Sequence, residues 1–419
     1  MSSPVAVVRG RLAASGSSLR VRNYRLYFLG QSVSVAGSFM QTLAIAFLTL
    51  RLTGSGADLG IAAAVRLVPF VALGPLGGVV ADRYDKRRLL FFTQTASAAG
   101  SLLFAVLATT GVITYPMLLT VSLVLGCLTV LDNPARQSLV PELVSRDDLA
   151  NAVVLNSVSL NVARMLGSVV GGTLIAGVGV PACFLINAAS FGAVILSLAL
   201  MRTAELLPTP RAPRGPGQVR EGLRYAAGNP QLAIPLLMLT VTGVLAYEFP
   251  TTLPLLATGA FHGTATTYGL MAAVMAGGAT IGGLVTAGRR QRPRPRALAT
   301  VCIGWGAAIV LAGLAPDLAT ACVALAFVGY GSITFNSTAK TTLQLASRPE
   351  LRGRVMALWA LAWGGSTVLG APLVGWIAQQ FGSRWGFIVG GAPTIVLGLV
   401  MLPVLSRQAL PPGEDGRAQ

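Results

Sequence analysis

Charged side chains are scarce in this chain. They make up 11% of its 419 residues, against about 25% in a typical soluble globular protein. So little charge cannot cover the surface of several soluble domains, but it suffices for the two ends of a protein whose sides face lipid. Hydrophobic residues make up 53% of the chain, and its mean hydropathy is +0.70. The composition therefore predicts an integral membrane protein.

Several reactive residue types are also rare, and each scarcity excludes a class of site. A single histidine, His262, excludes a bis-histidine haem site and a histidine-rich metal site, and its position outside the apolar runs leaves no Ser–His–Asp triad within them. The four cysteines lie singly in apolar runs, which favours buried thiols over a disulfide framework or metal cluster. Neither lysine, Lys86 or Lys340, follows a glycine as a nucleotide-binding P-loop requires. We expect no cofactor, no metal site and no enzymatic activity.

Long apolar runs recur between charged or Pro/Gly-rich breaks, and twelve of them approach the length that a membrane-spanning helix needs. The predicted spans are 26–50, 59–81, 89–111, 116–138, 153–176, 182–201, 231–256, 267–288, 298–315, 319–341, 356–380 and 386–405. The predicted fold class is therefore an all-α membrane protein with twelve transmembrane helices.

Basic residues are distributed very unevenly between the two sides of these spans. Lysine and arginine number 27 on the side of the N-terminus and 2 on the opposite side. A nucleic-acid-binding protein gathers such charge on one soluble face, so we interpret the asymmetry as membrane topology and expect no nucleic-acid partner. Because basic loops stay in the cytoplasm, both termini are predicted to be cytoplasmic. The preference for arginine over lysine, 29 to 2, is typical of a GC-rich bacterial genome and indicates a bacterial inner membrane.

The chain repeats itself about a central proline-rich stretch. Ser145-Arg146 recurs as Ser347-Arg348, and Gly167-x4-Gly172 recurs as Gly370-x4-Gly375, at offsets of 202 and 203 residues. Parallel repeats of six spans are a transporter architecture in which substrate binds near the bilayer midplane. The predicted organisation has two tails, two six-helix halves and a linker, part of which, 218–227, has helical spacing. Their bounds are 1–25 for the N-terminal tail, 26–201 for the first half, 202–230 for the linker, 231–405 for the second half and 406–419 for the C-terminal tail.

The stretch after the second span carries the clearest motif. It runs from Gly78 through Asp82-Arg83 to a basic cluster ending in Arg88, with Asp85 where many related loops have glycine. The motif resembles the conserved loop of the major facilitator superfamily. This resemblance implies a cytoplasmic gate, built from Gly78, Asp82, Arg83 and Arg87.

Further stretches resemble one branch of that superfamily, which contains transmembrane secretion effectors and enterobactin exporters. The resemblance covers residues 20–405. The stretches that carry it include Asn23-Tyr-Arg25-Leu-Tyr-Phe-Leu-Gly30-Gln31, Asp132-Asn-Pro-Ala-Arg136, Glu221-Gly-Leu-Arg224-Tyr225 and Arg352-Gly-Arg354-Val-Met-Ala. It implies the major facilitator fold, with two pseudo-symmetric halves, and a chain that works as a monomer.

Glycines in the fifth and eleventh spans are candidates for close helix packing. The fifth span resembles the glycine-rich motif of facilitator antiporters, although Ser168 stands where that motif usually has proline. Small residues also let helices approach without any antiport, so both interpretations stay open. The packing candidates are Gly167, Gly171, Gly172, Gly370 and Gly375.

Ionisable groups inside spans usually mark a transport pathway or a paired structural site. Asp132 and Arg136 are four residues apart on one predicted helix and can pair; Asp132 is a candidate proton site, but a static pair is the alternative we favour. Glu248 has no basic neighbour in the sequence, and an apolar surrounding favours the neutral form of a carboxylic acid. It is the preferred proton-site candidate, with a salt bridge to Arg66 or Arg164 as the alternative.

Other polar and aromatic groups in the spans are candidates for lining a substrate cavity, although each also serves plain helix contacts. The superfamily resemblance, in which spans one, four, seven and ten surround the cavity, favours some of them. The candidates are Gln41, Arg66, Arg136, Arg164, Tyr247, Asn336 and Trp363. Few charges, several aromatic rings and apolar walls suit an amphipathic organic molecule.

The leading hypothesis is a secondary active transporter that exports small amphipathic molecules, such as drugs, siderophores or natural products, by proton antiport. Its partners are then the substrate, protons and the lipid bilayer. Nothing in the residues sets the direction of transport, so an uptake facilitator is an alternative. A non-transporting sensor or assembly protein on the same fold is the alternative of a different class; the short tails and loops, at most about thirty residues, count against it.

Overall fold

The computed structural model describes residues 17–207, 218–288, 295–348 and 351–407. Within these ranges the regular structure is helical throughout and contains no strand, which confirms the predicted all-α class. The predicted tails and the linker lie partly outside the described ranges.

Six long helices form the first part of the chain. They are Arg22–Thr53 (α1), Gly56–Arg83 (α2), Lys86–Thr110 (α3), Tyr115–Leu143 (α4), Arg146–Gly177 (α5) and Val180–Ala199 (α6). Polar caps fix two of the starts, since a carboxylate or hydroxyl oxygen satisfies a free N–H of the first turn. Asp85 accepts from Arg88 N at 2.7 Å before α3, and Ser145 accepts from Asp148 N at 3.3 Å before α5. Gly111 ends α3 in the left-handed conformation, with φ of 72°.

The second part of the chain begins with a short helix, Gln218–Ala227 (α7), where the spacing predicts one. The α-helices that follow are Pro230–Leu245 (α8), Phe249–Leu255 (α9), Ala265–Gly288 (α10), Pro295–Leu314 (α11), Leu318–Ala346 (α12), Arg352–Ala360 (α13), Thr367–Phe381 (α14) and Trp385–Ser406 (α15). Two π-helical turns interrupt the regular pattern: Leu256–Ala260 follows α9, and Leu361–Gly365 joins α13 to α14.

Twelve helical stretches in the described part of the chain are long and apolar enough to cross a membrane. The seventh combines α8, α9 and the π turn after α9, and the eleventh combines α13 and α14. The twelve predicted spans are thus confirmed, with ends that shift by a few residues. The first helix, for example, begins at Arg22 rather than at residue 26.

Large apolar side chains face outwards along these helices. Leu369 and Phe327 are 70% and 63% exposed, whereas the amides of Gln41 and Asn187 are buried. In water, so much exposed apolar surface would promote association, but hydrocarbon tails cover it in a bilayer. Because regular helices satisfy their own backbone hydrogen bonds, they are also suited to that medium. The chain is therefore a multi-pass membrane protein.

The described residues form two compact units. The first contains residues 17–48 and 68–207, and the second contains residues 49–67 together with the described residues from 218 onwards. In the first unit α3 packs against α4 and α6; in the second α11 packs against α12 and α15. The predicted division into halves 26–201 and 231–405 stays a prediction.

Small residues bring α10 and α12 of the second unit into close contact. A Cβ added to Gly278 would lie 1.9 Å from the carbonyl oxygen of Ala326, and one on Gly329 would lie 1.8 Å from that of Met275. Because both positions are glycine, the two helix backbones can lie close together. This close approach gives dispersion contacts that lipid does not supply.

Candidate functional site

Asp132 lies at the centre of a polar cluster in the first unit. Its Oδ1 accepts hydrogen bonds from Thr93 Oγ1 at 2.8 Å and Gln94 Nε2 at 2.6 Å, both on α3. Its Oδ2 forms an ion pair with Arg136, one turn further along α4. The predicted pairing of Asp132 with Arg136 is present, and Thr93 and Gln94 are members that sequence reasoning missed. Three donors satisfy this carboxylate, an arrangement that matches the static-pair alternative.

Several polar atoms around this cluster are buried without a hydrogen-bond partner among the described residues. They are Tyr27 Oη, Gln94 Oε1 and Arg136 Nε. Tyr27, on α1, is close enough to Asp132 and Arg136 to interact with both electrostatically. Since buried polar atoms normally have a partner, the cluster has unused capacity to bind water or a polar ligand group.

Gln41 lies in a second polar network of the first unit. Its Oε1 accepts from Ser101 Oγ at 2.6 Å and from Asn187 Nδ2 at 2.7 Å, while Ser190 Oγ donates to Asn187 Oδ1 at 3.1 Å. All four residues are buried. The network joins α1, α3 and α6 through groups that satisfy one another, so the structure places Gln41 in a helix contact. A Cβ on Gly37 would lie 2.4 Å from Ser190 Oγ.

A cavity of about 700 Å³ lies in the first unit between α1, α5 and α6. Its walls are apolar apart from serine hydroxyls, and none of the predicted cavity residues lines it. Ser32 and Ser159 face it and hydrogen-bond to each other with an oxygen–oxygen distance of 2.5 Å. A cavity of this size and polarity suits a hydrocarbon group.

Two partly buried arginines within the spans have different surroundings. The Arg164 guanidinium on α5 stacks over the Phe39 ring, with its central carbon 5.0 Å from the ring centroid, and its Nε has no hydrogen-bond partner among the described residues. Arg66 lies on the part of α2 that belongs to the second unit, and no ion pair is found for it within the described ranges.

The predicted gate residues surround the start of α3. Arg87 donates to the carbonyl oxygens of Leu198 at 2.7 Å and Ala199 at 3.2 Å, and so caps the C-terminal end of α6. Arg83 is exposed, Gly78 is partly buried, and the side chain of Asp82 lies outside the described residues. The neighbouring Lys86 pairs with Glu142 at the end of α4. The gate itself stays a prediction.

The packing glycines lie at close helix contacts. A Cβ on Gly167 would lie 2.4 Å from the carbonyl oxygen of Ala36, and one on Gly171 would lie 3.1 Å from Met40 Cα; Gly172 is buried. These residues hold α5 against α1 in the first unit.

In the second unit, Gly375 of α14 meets the start of α2. Its added Cβ would lie 2.2 Å from the carbonyl oxygen of Gly56. One turn further on, Gln379 Oε1 accepts hydrogen bonds from Ser55 Oγ at 2.9 Å and Ala57 N at 3.0 Å. The contact is therefore both close-packed and hydrogen-bonded.

The seventh span is broken where Tyr247 and Glu248 lie. Helix α8 ends at Leu245 and α9 begins at Phe249, with non-helical backbone between them. Pro250 explains the break, because it has no N–H for the carbonyl of Ala246 and its ring clashes with that carbonyl. Non-helical backbone at membrane depth is tolerated where protein buries it or where it lines a cavity, and interrupted spans carry the ion and substrate sites of several transporters.

The Glu248 carboxylate lies in an apolar surrounding. The residue is 1% exposed, and neither carboxylate oxygen has a regular hydrogen-bond or ion-pair partner among the described residues. The side chain packs on α14, where a Cβ on Gly370 would lie 2.7 Å from Glu248 Oε1. Thr367, on the same helix, interacts with the carboxylate at a geometry poorer than that of a regular hydrogen bond. Because residue 370 is a glycine and has no side chain, α14 leaves room for the Glu248 carboxylate.

Tyr247 points into an aromatic group of the second unit. Its hydroxyl donates to the carbonyl oxygen of Ser332 at 2.8 Å and contacts the side chain of Asn336. Its ring centroid lies 4.7 Å from Trp305 and 6.5 Å from Trp363. The structure thus brings together three predicted site residues, Tyr247, Asn336 and Trp363, and adds Trp305, which the sequence did not single out.

The eleventh span is irregular at the same place as the seventh. Trp363 lies in the π-helical turn Leu361–Gly365, and π-helical turns are frequent at functional sites. A Cβ on Gly243, close to the end of α8, would lie 2.3 Å from Ser366 Oγ and 2.9 Å from the carbonyl oxygen of Ala362. Two interrupted spans therefore pack together beside the carboxylate of Glu248. We call Tyr247, Glu248, Asn336 and Trp363 the interrupted-helix site.

Among the residues that the structure describes, no three His, Cys, Asp or Glu side chains come together in a cluster that could hold a metal ion. The four cysteines are free thiols. The interrupted-helix site therefore presents one carboxylic acid, hydroxyl and amide groups, and aromatic rings.

The twelve-span, all-helical architecture is that of the major facilitator fold. The nucleoside transporter NupG has the same fold: its solved structure matches with a TM-score of 0.70, at 15% identity, over 93% of this chain and 100% of that chain.

The chain belongs to the transmembrane secretion effector family, whose sequence pattern matches residues 13–417. It is 25% identical to the enterobactin exporter EntS of Citrobacter koseri, over 94% of this chain and 95% of EntS. It is also 25% identical to macrolide efflux protein A of Streptococcus pyogenes, over 91% of this chain and 96% of that protein. The family resemblance predicted from the sequence is confirmed, and the chain is a membrane transporter rather than an enzyme.

Proposed function

We propose that this protein exports small amphipathic organic molecules from the bacterial cytoplasm across the inner membrane, as a monomer and in exchange for protons. Export is supported by two relatives named as an exporter of enterobactin and a macrolide efflux protein. The amphipathic class of substrate is supported by the interrupted-helix site, where aromatic rings outnumber charges. Measured uptake of the same class of molecule would contradict the proposed direction of transport.

The observation that carries proton coupling is the position of Glu248 in the break of the seventh span. A buried carboxylate without a partner is costly to ionise, so it holds a proton while it stays dry. When water or a partner group reaches it, ionisation becomes favourable. Alternation between these two states moves one proton per cycle. Asp132, by contrast, already has three donors in the structure.

The energy available from such coupling is sufficient for export. One elementary charge that crosses 100 mV releases about 2.3 kcal/mol. Because about 1.4 kcal/mol corresponds to a factor of ten in concentration, a single proton supports a substrate gradient of roughly fifty-fold. A pH difference across the membrane adds to this value.

The test is accumulation of dyes, antibiotics and siderophores in pump-deficient bacteria that express the chain, with and without a protonophore. We expect lower accumulation of at least one amphipathic compound, and reversal of that effect by the protonophore. Glu248→Gln should abolish export against a gradient, since the amide cannot release a proton. Glu205→Gln is the matched control, because Glu205 is 45% exposed in the side chain and pairs with Arg202 on the same surface segment.

Three results would contradict the proposal. Full gradient-driven export by Glu248→Gln, with the variant protein shown in the membrane, would remove Glu248 as the proton site. Higher accumulation in expressing cells would indicate uptake. No change for any compound would favour a non-transport role or a narrower substrate.

A further inference from the structure

A flat aromatic surface lies on the eleventh span, beside the interrupted-helix site. The indole rings of Trp359 and Trp363 stack with centroids 5.9 Å apart and planes only 10° from parallel. Trp363 is 42% exposed, so one end of the stack is accessible. The Lys340 ammonium of α12 lies 4.8 Å from the centroid of the Trp359 ring. We call Trp359, Trp363 and Lys340 the indole platform.

The charge of Lys340 has no carboxylate beside it among the described residues. Two acidic residues belong to the nearby helices: Glu221 on α7 pairs with Arg354, and Glu248 is buried in the break. Lys340 itself is exposed and forms no ion pair within the described ranges. The platform therefore has a net positive charge, and it favours an anion over a cation.

The platform also contains an unused donor. The indole Nε1 of Trp359 is buried and has no acceptor among the described residues. A buried N–H without an acceptor loses the free energy of a hydrogen bond. An acceptor oxygen on a ligand at the Lys340 end would restore that bond and neutralise the ammonium at the same time.

Other exposed tryptophans of the second unit have a different surrounding. Trp376 and Trp385 lie near the ends of α14 and α15, and both rings pack against Phe381 in a row. Such rows near helix ends are typical of the aromatic belt at a membrane surface. Trp363 instead contacts Tyr247 at the break of the seventh span, and Trp359 carries a cation.

We propose that the indole platform binds a planar aromatic anion, with the ring stacked on Trp363 and the anionic group at the Lys340 end. This deepens the proposed export function by naming the substrate class, and it rests on that function for its role in transport. Offset stacking of aromatic rings is favourable beyond the area that it buries, and the Lys340 ammonium attracts an anion and repels a cation.

The test is equilibrium binding to the full chain in nanodiscs of neutral lipid, measured by calorimetry against empty nanodiscs. Three probes separate the features of the platform: naphthalene-2-sulfonate is aromatic and anionic, cyclohexanesulfonate is anionic only, and N-methylquinolinium is aromatic and cationic. We expect saturable binding of naphthalene-2-sulfonate, at least about tenfold tighter than that of either other probe.

Variants locate the binding. Trp363→Leu and Lys340→Gln should each weaken binding of naphthalene-2-sulfonate about tenfold, while Trp363→Phe and Lys340→Arg retain most of it. Trp376→Leu and Arg352→Gln are the matched controls, since they remove an exposed tryptophan from the same span and an exposed cation from the start of it. Size-exclusion profiles and circular dichroism establish that each variant is folded.

The proposal is overturned if naphthalene-2-sulfonate fails to saturate the folded wild-type protein, or if Trp363→Leu binds it as well as Trp376→Leu does. It is also overturned if N-methylquinolinium binds equally well. Because the assay needs no gradient, its outcome is independent of proton coupling. If naphthalene-2-sulfonate binds as expected but the protein shows no gradient-driven export, the proposed transport function is wrong and the indole platform is still a binding site.

Discussion

Asp132 and Glu248 are both carboxylates within predicted spans, and their immediate partners differ completely. Asp132 accepts from Thr93, Gln94 and Arg136, whereas Glu248 has no regular partner among the described residues. A transported proton needs a group whose charged and neutral forms are close in free energy. Because Asp132 already has an ion-pair partner and two further donors, and Glu248 has no regular partner among the described residues, we propose Glu248 as the coupling residue.

We expect Asp132→Asn to destabilise the protein by about 2 kcal/mol. The substitution leaves the Arg136 cation without its counter-charge in a site where the aspartate side chain is only 9% exposed; the partial exposure of Arg136 keeps the loss below that of a fully buried pair. Thermal unfolding in detergent measures the effect, with Glu205→Gln as an exposed control pair. An unchanged unfolding midpoint would mean that the ion pair contributes nothing to stability.

The sequence identified the polar residues within the spans and the local partner of Asp132, but not the partners that lie on other helices. Asp132 and Arg136 are four apart on a helix, so their pairing follows from local geometry. Gln41 meets Asn187 across 146 positions of sequence, and no local pattern indicates which polar group lies opposite. Gln41 was a cavity candidate by resemblance, with a helix contact as the alternative, and its hydrogen bonds with Ser101 and Asn187 match that alternative.

At the scale of elements, hydropathy located all twelve spans but not the interruptions within them. Residues 231–256 form one continuous apolar run, so an average over a window does not register a break of three residues. Pro250 was the available signal, because a proline four residues after Ala246 removes a helical hydrogen bond. The π-helical turn around Trp363 has no such marker, since it depends on packing against Ser366 and Gly243.

Pro250→Ala should close the break in the seventh span. Alanine restores an N–H for the carbonyl of Ala246 and favours a continuous helix, which turns Glu248 away from Gly370. We expect export to fall at least about tenfold, with folding and membrane insertion preserved. Substrate accumulation in cells measures export, and amide hydrogen exchange around 246–249 reports the closed helix. Pro235→Ala, at a proline inside α8, is the control for general loss of a proline.

At the scale of the whole molecule, the distribution of basic residues predicts topology. The counts of 27 and 2 predict that both termini lie in the cytoplasm. The fold and the family were also accessible from the sequence, because repeats, spans and the loop at Gly78 extend along the whole chain. The division into two compact units could not be predicted from the sequence. It depends on contacts between helices that are far apart in the chain, and these contacts group residues 49–67 with the second unit.

Cysteines placed in two loops test this topology. Val112→Cys lies in the turn between α3 and α4 and is predicted outside the cell, whereas Tyr84→Cys lies in the turn before α3 and is predicted inside; the native side chains are 55% and 64% exposed. A membrane-impermeant maleimide should label the first in intact cells and the second only after permeabilisation. The reverse labelling pattern would mean that the protein has the opposite orientation in the membrane, with both termini outside the cell.

The chain has only two lysines, and their positions have a practical consequence. Lys86 is held by Glu142, while Lys340 is exposed over the Trp359 ring. An acylating reagent therefore has one readily accessible side-chain amine within the described residues, and it lies at the end of the indole platform. Mass spectrometry of acylated Lys340 gives a footprint of whatever occupies that surface, in native membranes and without any variant. A cargo that has no fluorescence and no known transport assay can thus be found by the protection it gives to a single nitrogen atom.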